Sequence, residues 1–237
     1  MSDRSAIEWT DATWNPVRGC TKVSAGCKHC YAQTFSERFR GVPNHPFEQG
    51  FDLRLVPEAL ETPKKWKKGR TIFVNSMSDL FHEKIPDNYV KEVFQTMNDC
   101  PQHNFQILTK RPQRLTELAS SVLWTKNIWM GVSVESTKFV QRIDKLRNVP
   151  CATKFLSLEP LLGPLNNLNL TEIDWVIVGG ESGSKSREVK AAWIRSIRDQ
   201  CVDQGVPFFF KQWGGKNKKA AGRSLDGREW NEIPNRK

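Results

Sequence analysis

NFQILTKRPQRLTELASSVLWTKNIWMGVSVES, residues 104–136, decides the fold. Phe105, Ile107 and Leu108 mark a short apolar, strand-like run that ends in the polar tip TKRP. Pro112 stands where a helix can begin, because the first helical residue needs no N–H partner. Leu115, Leu118, Ala119 and Val122 then recur at helical spacing and give that helix one buried stripe. IWMGVSV, 128–134, is a second apolar run, and it too ends in a polar tip, SVES. Strand, helix and strand within about thirty residues make a βαβ unit, with parallel strands and a right-handed crossover.

The same rhythm extends in both directions. TIFVN, 71–75, reads as a strand followed by SMSD. Asp87, after Pro86, opens a helix with Val90, Val93, Phe94 and Met97 on one face. Phe139, Val140, Ile143 and Leu146 follow the 128–134 strand at helical spacing. KFLSL, 154–158, ends in Glu159 and Pro160, which makes Glu159 a rim carboxylate. DWVIVGG, 174–180, leads into ESG, and helix 190–204 presents Trp193, Ile194, Ile197 and Cys201, with Gly205 as its C-terminal cap. VPFFFKQW, 206–213, is the last strand, and a short one near 6–14 is the first. Nearly continuous apolar runs suit strands covered on both faces. Polar residues after almost every strand place a site around one rim rather than at one switch point. The expected fold is α/β, a full or partial TIM-like (β/α) barrel of about six to seven parallel strands. It spans 1–213 with an insertion at 41–70, and 214–237 forms a basic C-terminal extension.

The chain has 237 residues, 38% of them hydrophobic and nine of them Trp, which excludes a disordered chain. No run of about 18 apolar residues predicts a membrane span. MSDRSAIEWTD has no basic stretch leading into an apolar core, so the expectation is a cytoplasmic protein without a signal peptide. The net charge of +10 favours an anionic partner, and nucleic acid is the common one. PKKWKKGR, 63–70, supplies Lys64, Lys65, Lys67, Lys68 and Arg70, and the tail supplies Lys218 and Lys219. Both segments mix basic residues with Trp, which suits phosphate contact and base stacking.

GCTKVSAGCKHCYA, 19–32, carries three of the six cysteines, Cys20, Cys27 and Cys30, spaced C-x6-C-x2-C. Cys100, Cys151 and Cys201 stand alone in apolar or helical sequence and read as core residues. Three close thiolates in a reducing compartment bind a metal or a cluster. One reading is a structural Cys3His zinc site with His29, His45 or His82 as the fourth ligand, in a non-catalytic nucleic-acid-binding protein. His82 also reads as a rim base, or, favoured on sequence, as a plain surface histidine. The other reading is a [4Fe–4S] cluster on three cysteines, which leaves one iron open to a ligand. Gly19 and Gly26 each precede part of this cysteine set and could let backbone wrap a bulky group.

A three-cysteine loop after the first strand of a β/α barrel resembles the radical S-adenosylmethionine (SAM) superfamily. WNPVRGCTKVSAGCKHCYA, with SMSDLF, LTKRP, SLEPLLGP and VGGESG further on, is more closely similar to a phage-associated three-Cys-motif protein family, over nearly the whole chain. The C-x2-C of the commonest radical SAM spacing is kept, while the first gap is six residues instead of three. The resemblance implies an enzyme on a barrel of the radical SAM type. Its open iron would chelate SAM, and its reduced cluster would release a 5′-deoxyadenosyl radical for hydrogen abstraction. An electron donor is then needed, a partner protein is compatible, and the substrate would be nucleic acid or a nucleoside undergoing modification or repair. The resemblance also implies site residues: His29 near adenine, and Ser76, Ser78 and Asp79 at the methionine amino group. Ser133 and Glu135 would meet the ribose or carboxylate, and Lys110 or Arg111 a carboxylate. Gly179, Gly180 and Glu181 form a Gly-Gly-Glu element for adenine or substrate.

Overall fold

Every apolar run becomes a strand of one sheet. The computed structural model describes residues 5–234. Its strands are β1 (Ala12–Trp14), β2 (Thr71–Val74), β3 (Asn104–Thr109) and β4 (Ile128–Ser133). β5 (Thr153–Leu158), β6 (Trp175–Gly179) and β7 (Phe208–Gln212) complete it. All seven are parallel, and their spatial order is their chain order. Helices α1 (Tyr31–Ser36), α2 (Asp87–Asn98), α3 (Pro112–Leu118), α4 (Gln141–Arg147) and α5 (Ala191–Asp203) fill the crossovers. Pro112 opens α3, and Gly205, at φ 67°, follows α5. Asp87 is the first residue of α2 rather than its cap, a position held by Pro86.

Alternation along the strands sorts side chains onto two faces. Ile72, Val74, Ile107, Met130, Leu156, Val176 and Phe210 pack under the helices. Phe73, Trp129, Phe155, Trp175, Ile177 and Phe209 form a second, aromatic cluster on the other face. Trp9 joins this inner cluster. Its ring lies 4.7 Å from Phe73, 6.4 Å from Phe155 and 6.2 Å from Trp175. Phe73 and Trp175 belong to strands four places apart, which a flat sheet would hold about 19 Å from each other. One indole touches both because the sheet is curled. The result is a half-barrel, open between β1 and β7.

The first strand is shorter than the 6–14 expected from sequence. The Thr10 hydroxyl donates to the Thr71 and Ala12 carbonyls, and the residues before it leave the ladder to carry Trp9 inward. Within 41–70, Arg54–Leu55 pairs antiparallel with Val17–Arg18, and Phe51, Val56, Ala59 and Trp66 are buried. Toward the C-terminus, Leu225 is buried, the Phe210 amide donates to the Trp230 carbonyl, and Trp175 Nε1 donates to the Glu232 carbonyl. Among the described residues, no helix is long and apolar enough to cross a membrane.

Trp9→Ala removes the ring that bridges the curl. It is expected to destabilise the protein by about 3–5 kcal/mol in urea unfolding. A loss of under about 1 kcal/mol would mean that the curl does not depend on this indole.

Candidate functional site

The cysteine loop runs from the end of β1 to the start of α1, on the rim formed by the C-terminal ends of the strands. Its regular pieces are the two-residue strand Val17–Arg18 and a 3-10 turn, Ala25–Cys27, and Cys30 caps α1. The rim therefore has to hold it. Behind β2, the Gly19 amide donates to the Met77 carbonyl at 3.1 Å and the Ser78 hydroxyl to the Val17 carbonyl at 2.8 Å. The Ser76 hydroxyl donates to Asn15 Oδ1, and the Tyr31 hydroxyl donates to the Ser76 carbonyl.

Three charged side chains complete the attachment. After β3, the buried Arg111 donates to Cys20 Sγ at 3.4 Å, and to the carbonyl and hydroxyl of Thr21 at 3.0 and 2.9 Å. Asp79 and Glu83 hold its guanidinium at 3.3 and 2.9 Å. After β4, the fully buried Glu135 accepts from the Ser24 hydroxyl at 2.5 Å and from Arg142 at 2.9 Å. A Cβ on Gly26 would lie 2.4 Å from Glu135 Oε1, so only glycine lets the loop close on this carboxylate. After β6, Glu181 accepts from His29 Nδ1 at 3.1 Å and from Arg187 at 2.8 and 2.5 Å. A carboxylate can only accept here, so His29 carries its proton on Nδ1.

These contacts set the charge states. Burial alone would raise the Glu181 carboxyl, but hydrogen bonds from Arg187 and His29 outweigh it and hold the pKa at about 2. Burial pushes the Cys20 thiol up to about 11, with Asp79 adding to the effect and Arg111 opposing it.

Cys20, Cys27 and Cys30 line one wall of a cavity of about 400 Å³ at the mouth of the half-barrel. Its floor is apolar: Ile7, Trp9, Phe73 and Leu108. Glu159 and Lys211, paired at 2.8 Å, stand on another wall. Three lining residues carry a buried polar atom with no partner: Asn75 Nδ2, Ser133 Oγ and Gln212 Oε1. Such atoms are costly unless something polar meets them, so the cavity suits a ligand with its own donors and acceptors. The three thiols supply soft donors for a metal cluster beside them.

Of the residues expected at the site, His29, Ser76, Ser78, Asp79, Lys110, Arg111, Ser133 and Glu181 line the cavity. Most are already engaged. Asp79 accepts from the Thr109 hydroxyl, the Phe81 and Lys110 amides and Arg111. Ser133 and Lys110 are freer, the Lys110 ammonium lying 3.8 Å from Glu135. Glu135, Gly179 and Gly180 are not on the wall. Glu135 sits behind the loop, Gly179 ends β6, and the Gly180 amide donates to the Gln212 carbonyl. Trp9, Asn75, Lys211 and Gln212 escaped the sequence reading. For Lys211 and Gln212 the signal was available, since they end an apolar run as the other rim residues do.

His82 corrects the sequence reading of a surface histidine. It is fully buried, with Nε2 on the Thr21 hydroxyl and Nδ1 accepting the Lys84 amide, because the loop after β2 folds over it. His45 stacks on Phe39 at 3.8 Å. Among the described residues, no three His, Cys, Asp or Glu side chains gather on a point suited to a single metal ion. Lys64, Lys65, Lys67, Lys68 and Arg70 precede β2, at the end of the sheet opposite the cavity. Lys64 pairs with Glu61, and Arg70 lies over the Trp66 ring at 4.9 Å. The side chains of Lys218 and Lys219 lie outside the described residues.

A family model described as a protein of unknown function, DUF5131, matches residues 4–234. No curated protein matches the chain. Among solved structures, a spore photoproduct lyase variant with bound AdoMet and dinucleoside spore photoproduct is similar at 10% identity and a TM-score of 0.49, over 79% of this chain and 60% of its own. Spore photoproduct lyase complexed with the dinucleoside spore photoproduct is similar at 11% identity and a TM-score of 0.47, over 78% of this chain and 59% of its own. The chain thus spans about three fifths of the length of these two structures.

The Glu181 strut has a pH signature. A folded-state pKa of about 2, below the ordinary 4.5, contributes stability that is present above 4.5 and lost as pH falls toward 2. Glu181→Gln is expected to be less stable than the parent at pH 7 in urea unfolding. The gap should close across that acid window, and a gap independent of pH would exclude the carboxylate as its source.

Proposed function

This chain belongs to the DUF5131 family, and we propose that it is an enzyme of the radical SAM type acting on nucleic acid or a nucleoside, in modification or repair. The observation that carries this reading is the placement of three thiols from one rim loop in the lining of a single, mainly apolar cavity that holds a few unpartnered polar atoms. A [4Fe–4S] cluster held by Cys20, Cys27 and Cys30 and reduced by an external electron donor would supply the electron that cleaves bound SAM, and with it a radical for hydrogen abstraction.

The chain's own residues bind, orient and exclude water. Cys20, Cys27 and Cys30 are half-buried, close enough to the surface for assembly yet backed by the rim. Asn75 Nδ2 offers a donor, Gln212 Oε1 an acceptor and Ser133 a hydroxyl to the polar parts of a ligand. Lys110 can take a carboxylate. Trp9, Phe73 and Leu108 close the floor and give a planar ring an apolar seat. The net charge of +10 supports an anionic substrate.

Anaerobically purified protein is expected to hold about four iron per chain. Alanine at Cys20, Cys27 or Cys30 should lower that content, while Cys100→Ala, in the core, should not. One zinc and no iron would overturn the reading in favour of a structural metal. SAM is expected to change the EPR spectrum of the reduced protein, and an unchanged spectrum would remove SAM as the ligand.

A further inference from the structure

We propose that the rim around the cavity mouth is a docking face for the phosphate backbone of a nucleic-acid strand, so that the substrate is a polymer rather than a free nucleoside. The two ends of the sheet differ in how their charges are paired. Four rim loops, those after β1, β4, β6 and β7, expose Lys22, Lys28, Lys138, Lys185, Lys190 and Lys216. None of these lysines forms an ion pair among the described residues. The acids of the same loops are largely withdrawn. Glu135 and Glu181 are buried against Arg142, Arg187 and His29, which leaves Glu188 exposed.

The other end of the sheet is mixed. The basic stretch 63–70 lies there, but exposed Glu61, Asp99, Glu172 and Asp203 share that end. Lys64 is tied to Glu61 and Asp99. The rim also carries exposed Glu83 and Asp52, but Arg111 and Arg40 hold them, so the unpaired charge around the cavity mouth is mainly positive.

Shape agrees with charge. The aromatic cluster closes the cavity from below, so a substrate enters through the rim. A strand lying across the lysines would neutralise several phosphates at once and release their counterions. It would also present one nucleotide at a time to an apolar floor and a few polar atoms, the geometry of a base taken out of its stack. Lysines spread over four loops make point contacts to phosphate rather than reading base edges, so sequence preference must come from the cavity.

This inference rests on the proposed function only for what the nucleotide meets inside the cavity, and its test does not depend on catalysis. Binding of labelled single-stranded DNA and RNA of equal length is measured by anisotropy at several salt concentrations. The protein is purified anaerobically, and its iron is assayed in the same sample. The rim variant Lys138→Glu/Lys185→Glu/Lys190→Glu is expected to lose affinity at least about tenfold and to show a salt slope shallower by about two, at about 0.7 per phosphate. The opposite-end variant Lys65→Glu/Lys67→Glu/Lys68→Glu changes the net charge by the same amount and is expected to lose less than about twofold. The glutamine version of the rim variant should fall between parent and charge reversal. Equal losses in both triple variants, a larger loss at the opposite end, or no salt-dependent binding by the parent would overturn the proposal. The ratio of DNA to RNA affinity identifies which strand supplies the phosphates. Strand binding without iron would leave the docking face standing and remove the cluster, while iron without strand binding would do the reverse.

Discussion

One loop is held by three charges, and the cavity exists because of them. Residues 20–30 have no buried residue and only one 3-10 turn of regular structure. Left alone, such a segment would keep its conformational entropy and scatter its thiols. Arg111, Glu135 and Glu181 reach it from the ends of three different strands, and each is itself clamped by a second charge. Buried ion pairs of this kind contribute little net stability, because desolvation offsets most of the attraction. What they contribute is position. Each thiol sits near a contact that is fixed by the sheet rather than by the loop.

The curl of the sheet makes this possible. In an all-parallel sheet every strand ends on the same side, so seven strand ends supply one rim. A flat sheet would set those ends in a row. With Trp9 drawing β2, β5 and β6 around itself, the row bends into an arc, and His29 in the first loop reaches Glu181 in a late one. The same curl separates the two apolar faces. The outer one packs on helices, while the inner one becomes the cavity floor.

Much of the polar rim serves the protein rather than a ligand. Asp79, Glu135 and Glu181 are the kind of strand-end carboxylates that a sequence reading assigns to a cofactor. In the fold they are saturated by Arg111, Arg142, Arg187 and nearby amides. The physical reason is general: a carboxylate brought under a loop must be paired or it is too costly to bury. The atoms left for a ligand are less conspicuous ones, an amide nitrogen of Asn75, the hydroxyl of Ser133 and an amide oxygen of Gln212.

By itself, the sequence determined the strands, the helices and the rim. Period-two and period-3.6 patterns are local properties, so the alternation after residue 70 and the start of α3 at Pro112 were legible in the residues alone. The three-cysteine loop was legible too, since spacing is a property of the chain. Tertiary structure decided the rest. Neither the burial of His82, the inward turn of Trp9, nor the distance of the 63–70 lysines from the cavity can be read from neighbours in sequence. Each depends on which end of a strand a residue occupies and on how far the sheet bends. Those are long-range consequences of packing, and no local pattern encodes them.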